Sequence, residues 1–165
     1  MSTQKSPITK SQVNWSEKSR QRHMNIPASY LVLCNEQEQV LLLRRFNTGF
    51  KDGLYSLVAG HVDAGETFTQ ALVREAREEA GVTINPDLVQ VSHVMHRKSD
   101  TDSSERVDVF FVVRKWEGSV FNCEPGKCDE LAWFNLDDLP KNMVEYIRIA
   151  LENIKDGVVY SEVGW

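Results

Sequence analysis

The chain has no apolar run approaching the roughly 20 residues a helix needs to cross a bilayer, so no membrane partner is expected. Its opening stretch, MSTQKSPITKSQVNWSEKSRQRHMN, lacks the apolar centre of a secretion signal, and the expected location is cytoplasmic. Cysteine is scarce. Cys34, Cys123 and Cys128 are the only three, a usage that fits a reducing compartment. Cys123 and Cys128 are too far apart for a C-x-x-C pair, and no histidine follows at zinc-ligand spacing, so no structural zinc site is expected. Positive charge is short as well: 19 Lys and Arg face 24 Asp and Glu, for a net charge of -5. A protein that holds long nucleic acid by charge needs the opposite sign. A small phosphorylated ligand carried on a metal ion remains compatible with that balance.

Repeats, low-complexity blocks and linkers are absent too. What remains is an ordinary globular composition, 41% apolar and 26% charged, over 165 residues, enough for one domain with a real core. The expected organisation is a polar N-terminal arm over 1–25 and a single domain over 26–165. IPASYLVLC reads as a buried strand, NEQEQ as a turn and VLLLRRF as a second strand, so the two predict a hairpin. NTGFKDG reads as a loop and LYSLVAG as one short strand. LVQVSHVMHRK and RVDVFFVVRKW are long Val- and Phe-rich strands on either side of the polar loop SDTDSS, and LAWF is a last short strand. A helix is expected from about Lys141 to Lys155, while the tail VVYSEVGW gives no clear assignment. Strands and helices do not alternate as in a doubly wound sheet, which leaves an α/β (α+β) fold with helices on the faces of a mixed sheet.

The informative stretch is GHVDAGETFTQALVREAREEAGV, Gly60 to Val82. From Thr67 to Ala80 an apolar stripe (Phe68, Ala71, Leu72, Val73, Ala76, Ala80) follows helical period, and Gly81 is a natural stop. Glu75, Glu78 and Glu79 stand at i, i+3 and i+4, on one face of that helix. In solvent their mutual repulsion costs a few tenths of a kcal/mol per pair, and the pattern is then only an acidic surface. In a cleft, two carboxylates about 5 Å apart repel by roughly 3 kcal/mol at an effective dielectric near 20. A cation must offset that, and clustered oxygen ligands suit Mg²⁺ or Mn²⁺, ions that commonly carry substrate phosphates. The glycine-containing turn GHVDAGE can bring Glu66 back against the helix, where Arg74 can orient Glu66 and Glu75 by bidentate hydrogen bonds.

These residues resemble the Nudix box, G-x5-E-x7-R-E-U-x-E-E-x-G-U, at Gly60, Glu66, Arg74, Glu75, Ala76, Glu78, Glu79, Gly81 and Val82. Its seven fixed identities coincide by chance in roughly one of 10⁸ windows at average residue frequencies. The resemblance implies a Nudix-type α/β/α sandwich around a mixed β-sheet, and metal-dependent hydrolysis of a nucleoside diphosphate linked to another moiety. It implies Glu75, Glu78 and Glu79 as metal ligands, Glu66 as their support through Arg74, and a ligand from the Ala59 backbone carbonyl. Many members carry P-G-G where this chain has Val58-Ala59-Gly60, so the carbonyl ligand depends on the backbone that Ala59 adopts. The segment NCEPGKCDELAWF is similar to the MutT-like, nucleoside-triphosphate diphosphatase-like branch. This favours a (deoxy)nucleoside triphosphate cleaved to the monophosphate and pyrophosphate. Hydrolysis of ADP-ribose, a nucleotide sugar or a dinucleotide stands as the alternative, and a non-catalytic nucleotide sensor as a third reading that the intact glutamate set disfavours. Family analogy adds a homodimer.

Glu75 is the nearest candidate for the general base and Glu78 or Glu79 for the main metal ligand, although spacing alone does not assign these roles. Glu124 and Glu130, flanking the loop before LAWF, are further carboxylates for that role or for the metal and substrate, against the plain reading of solvated loop residues. Arg45, Phe46 and Phe50 lie in or beside the glycine-containing loop. An arginine there can meet phosphate and an aromatic can stack on a base, although each alone reads as a surface charge or a core residue. His93 and His96 are three apart on a strand and face opposite sides, so they cannot share one metal. Lys127 reads as a surface lysine within reach of phosphate.

Overall fold

The computed structural model describes residues 23–165. The expected N-terminal arm lies, except for its last three residues, outside the described residues. Strand β1, Asn25–Leu33, is the spine of the fold. Its alternation is complete: Ala28, Tyr30 and Val32 enter one apolar cluster, whereas Leu31 and Leu33 enter another. A strand apolar on both sides must lie in the middle of a layered structure. Strand β2, Gln39–Arg45, shares the property, with Val40 and Leu42 on the first side and Leu41 and Leu43 on the second.

The two do not form the predicted hairpin. They meet at a single bridge, Cys34 with Val40, and then part into different sheets. Both edges of β1 are already taken, one by β4 (Val58–His61, antiparallel) and the other by β6 (Glu105–Val113, parallel). β2 therefore pairs with β3 (Tyr55–Ser56) and β7 (Cys128–Asn135). The segment LYSLVAG, expected as one strand, splits for the same reason. Tyr55 and Ser56 pair with β2, the buried Leu57 crosses over, and Val58 onward pairs with β1.

With β5 (Gln90–Lys98) and β8 (Tyr160–Val163), the large sheet runs β4-β1-β6-β5-β8 and is mixed; the small one runs β3-β2-β7. The unassigned tail supplies β8, laid parallel on β5. His93 is fully buried there, its Nδ1 2.8 Å from the Val158 carbonyl and its Nε2 2.8 Å from the Ser161 hydroxyl. Helix α1, Phe68–Ala80, covers one face and helix α2, Glu145–Lys155, the other. α2 starts later than its periodicity predicts, because the preceding residues are held extended against β3. Asn142 accepts from the Tyr55 N–H at 2.8 Å, and the Val144 N–H donates back to Tyr55 at 2.9 Å. The result is the predicted helix/sheet/helix sandwich, with its sheet layer divided in two. Among the described residues no helix is long and apolar enough to cross a membrane.

Candidate functional site

The end of β4 and the start of α1 bring the acidic residues together. Thr67 caps α1 in a reciprocal box: its hydroxyl accepts from the Gln70 N–H at 3.2 Å, and the Gln70 side chain accepts from the Thr67 N–H at 2.8 Å. Ser29, buried in β1, donates to the Phe68 carbonyl at 2.7 Å and ties the helix to the sheet. Gly81 ends the helix at φ 71°, where a Cβ would collide with the Phe121 ring. Gly60 is a glycine for a different reason. A Cβ there would overlap the Glu75 side chain, so only a bare backbone lets that glutamate lie against β4. Ala59 sits in β4 opposite Tyr30 and has no positive φ, so alanine at this position carries no strain.

Arg74 organises the carboxylates. Its Nε and Nη2 grip Glu66 at 3.0 and 3.1 Å, its Nη1 donates to Glu75 and, at 3.3 Å, to Glu78, and Nη2 also donates to the His61 carbonyl at 3.1 Å. The fork that the sequence predicts is thus present, extended to a third carboxylate. It holds Glu66 below its ordinary pKa. Glu79 is held apart from this network and accepts from the Ala59 N–H at 3.1 Å. Burial pushes Glu79 up to about 8, with the nearby Glu75 and Glu124 adding to the effect. Burial raises Glu75 too, against the pull of Arg74. The side chain of Glu75 is 14% exposed and that of Glu78 54%.

Glu75, Glu78, Glu79 and Glu124 all line one cavity of about 620 Å³, with Arg45, Phe50, Ala59 and Lys127. The acidic helix face therefore looks into a cleft. Arg45 is fixed by the loop that follows it, donating to the Phe50 carbonyl at 2.7 Å and to Thr48 at 3.0 Å. Lys127 pairs with Glu124 at 2.8 Å. Two expected residues stay away from the cavity. Phe46 is 47% exposed, and Glu130 pairs with Arg44, its neighbour across β2 and β7, at 3.1 Å.

Among the described residues no three His, Cys, Asp or Glu side chains are already drawn together as a metal cage, since Arg74 holds Glu75 and Glu78 and Ala59 holds Glu79. The donor set nonetheless fits a hard divalent cation: several carboxylates share one concave wall, and one of them is ionised only at a cost that a cation would offset.

The chain matches the NUDIX domain over residues 24–154. It belongs to the Nudix family. Members of this family generally use divalent ions such as Mg²⁺ or Mn²⁺. The solved MutT NUDIX hydrolase of Burkholderia pseudomallei is similar at a TM-score of 0.71 and 25% identity, covering 79% of this chain and 98% of that one. The NAD-capped RNA hydrolase NudC of Stutzerimonas stutzeri (strain A1501) is 28% identical over 120 residues, 73% of this chain and 40% of the relative. The ADP-ribose pyrophosphatase of Methanocaldococcus jannaschii is 28% identical over 120 residues, 71% of this chain and 66% of the relative. This Nudix chain thus spans about 40% of the length of its NudC relatives.

One buried pair escaped the reading of the sequence. Arg97 on β5 and Asp108 on β6 form an ion pair, at 4% and 0% side-chain exposure. Arg97 also lines the cavity. The signal was available: each is a charge at an inward position of an apolar strand, Arg97 in step with Met95 and His93, and Asp108 in step with Phe110.

Proposed function

We propose that this Nudix chain is a metal-dependent hydrolase of phosphoanhydride bonds, acting on a nucleoside diphosphate linked to a further group. The observation that carries this is the convergence of Glu75, Glu78 and Glu79 on a cleft that Lys127 and Arg45 share. Glu75, Glu78 and Glu79, with the Ala59 carbonyl, are the residues that would hold Mg²⁺ or Mn²⁺. When bound, such an ion supplies charge neutralisation on the phosphoryl oxygens and acidification of water. Arg74 and Glu66 keep Glu75 facing the cleft. Lys127 and Arg45 offer donors to phosphate oxygens. The proton of the attacking water passes to a carboxylate of the cleft, Glu75 or the loop residue Glu124. Glu130, paired with Arg44 and not lining the cleft, is given no role in this.

The favoured substrate is a (deoxy)nucleoside triphosphate, cleaved by water to the monophosphate and pyrophosphate. Support comes from the MutT-like segment around Glu124 and Lys127, which now borders the cleft, and from the MutT structural neighbour. ADP-ribose or a dinucleotide is the second reading, supported by the names of the two curated relatives. A release assay across nucleoside triphosphates, ADP-ribose, nucleotide sugars and dinucleotides, with Mg²⁺ and with Mn²⁺, separates them. Pyrophosphate from triphosphates supports the first, and AMP with ribose phosphate from ADP-ribose the second. Glu78→Gln should lose on the order of a hundredfold or more in turnover while folding normally, as its side chain is half exposed. Turnover of no compound, or full activity of Glu78→Gln, would refute the hydrolase.

A further inference from the structure

The cleft has a second end, remote from the glutamates. Neighbouring strands lie about 4.8 Å apart, so β5 is roughly 14 Å across the sheet from β4, past β1 and β6. Arg97 lines the cavity from β5. That span is too long for a diphosphate alone, and it suits a nucleoside whose phosphates lie against the glutamates.

Arg97 is held on two sides. Its Nε donates to Asp108, and its guanidinium carbon lies 3.7 Å from the centroid of the Tyr146 ring. Tyr146 is itself set edge-on to Tyr30, which stacks on Phe110 at 4.7 Å. Neither Nη nitrogen of Arg97 has an acceptor among the described residues. Thus a guanidinium with fixed orientation keeps two adjacent N–H donor groups for a ligand. Asp108 is fully buried and cancels its charge. A neutral partner therefore suits this fork better than another phosphate. The other guanidinium at this end, Arg106, is turned to the His61 Nε2 at 3.0 Å, with Asp102 at 3.9 Å.

We propose that Arg97, pinned by Asp108 and Tyr146, reads the base of the substrate and selects bases presenting carbonyl oxygen over those presenting an amino group at the same edge. A carbonyl, or a carbonyl beside a ring nitrogen, accepts from the fork, whereas an amino group sets donor against donor. The sequence and the family box assign Arg97 no role. The inference rests on a nucleotide lying in this cleft, but not on which phosphate bond is broken.

Inosine and adenosine triphosphates test it. They share sugar and phosphates, and differ at the purine 6 position and the adjoining ring proton. The wild type should favour the inosine compound in kcat/KM by about ten- to a hundredfold, the range of one bidentate base contact. Arg97→Lys retains the charge that Asp108 needs but loses the fork, and should bring the ratio to within about threefold of one. Should that variant fold poorly by circular dichroism, Arg97→Gln with Asp108→Asn removes both charges together and should give the same ratio. Binding of both nucleotides to Glu78→Gln with magnesium, by calorimetry, gives the preference without turnover. If no triphosphate is hydrolysed but binding shows the Arg97-dependent preference, the triphosphate reading fails and this inference stands. A wild-type ratio near one in both measurements, or a ratio unchanged by replacing Arg97, would overturn it.

Discussion

At the scale of single residues, spacing alone found the acidic group. Glu75, Glu78 and Glu79 share a face because a helix repeats every 3.6 residues, and Arg74 and Glu66 meet because the Asp63–Glu66 turn lays Glu66 back along the first turns of the helix. What spacing could not tell was whether that face is wet. The answer depends on β4 and on the loop around Glu124, which come from elsewhere in the chain. Gly60 makes the dependence testable. A methyl group there meets one side chain and no backbone, Glu75 from its carboxylate down to Cγ, so that glutamate must leave its place beside Arg74. Gly60→Ala should shift the melting temperature by no more than a few degrees. It should lower kcat by tenfold or more, because Glu75 loses its position. Parallel loss of melting temperature and activity would instead mean that Gly60 serves packing alone.

At the scale of elements, local signals worked where an element's ends are set by its own residues. The α1 helix begins at a Thr67–Gln70 box and stops at Gly81, both legible in the sequence. Where pairing partners decide, local signals failed. The hairpin expected of β1 and β2 gave way because β4 and β6, the latter about 80 residues beyond β1, occupy both edges of β1. The tail became a strand only because β5 had a free edge. Local capping also carries a measurable stability. Thr67→Ala removes the acceptor for the Gln70 N–H and should cost about 1 kcal/mol. For a domain of this size that lowers the melting temperature by roughly 2–4 °C. No change in thermal denaturation would mean that the contact between Ser29 and Phe68 holds the helix start without its cap.

At the scale of the whole molecule, folding forces carboxylates into a cleft between layers, and the strain shows in protonation. Glu79, ordinarily near 4.5, is pushed up to about 8 by burial, so the metal-free native state holds a proton that the unfolded chain releases. A raised carboxylate contributes stability fully below pH 4.5, and that contribution is lost as pH climbs through 8. Glu66 has the opposite sign, since Arg74 depresses it; its contribution is present above the ordinary carboxylate range and lost as pH falls. Between pH 5 and 8 Glu79 outweighs Glu66, acting in the same direction as Glu75, which burial also raises, and its one proton is worth up to about 1.4 kcal/mol per pH unit. A divalent ion that needs Glu79 ionised must displace this proton, so its affinity should rise about tenfold per pH unit and level off near pH 8. The melting-temperature gain from saturating Mn²⁺ should grow over the same interval, because the ion restores what ionisation of Glu79 removes. Glu79→Gln should weaken both trends, leaving only what the raised Glu75 contributes, while raising the stability of the metal-free protein at pH 8. Isothermal titration in buffers of different ionisation enthalpy counts the proton directly. An affinity independent of pH, with no proton released, would place the ion away from Glu79.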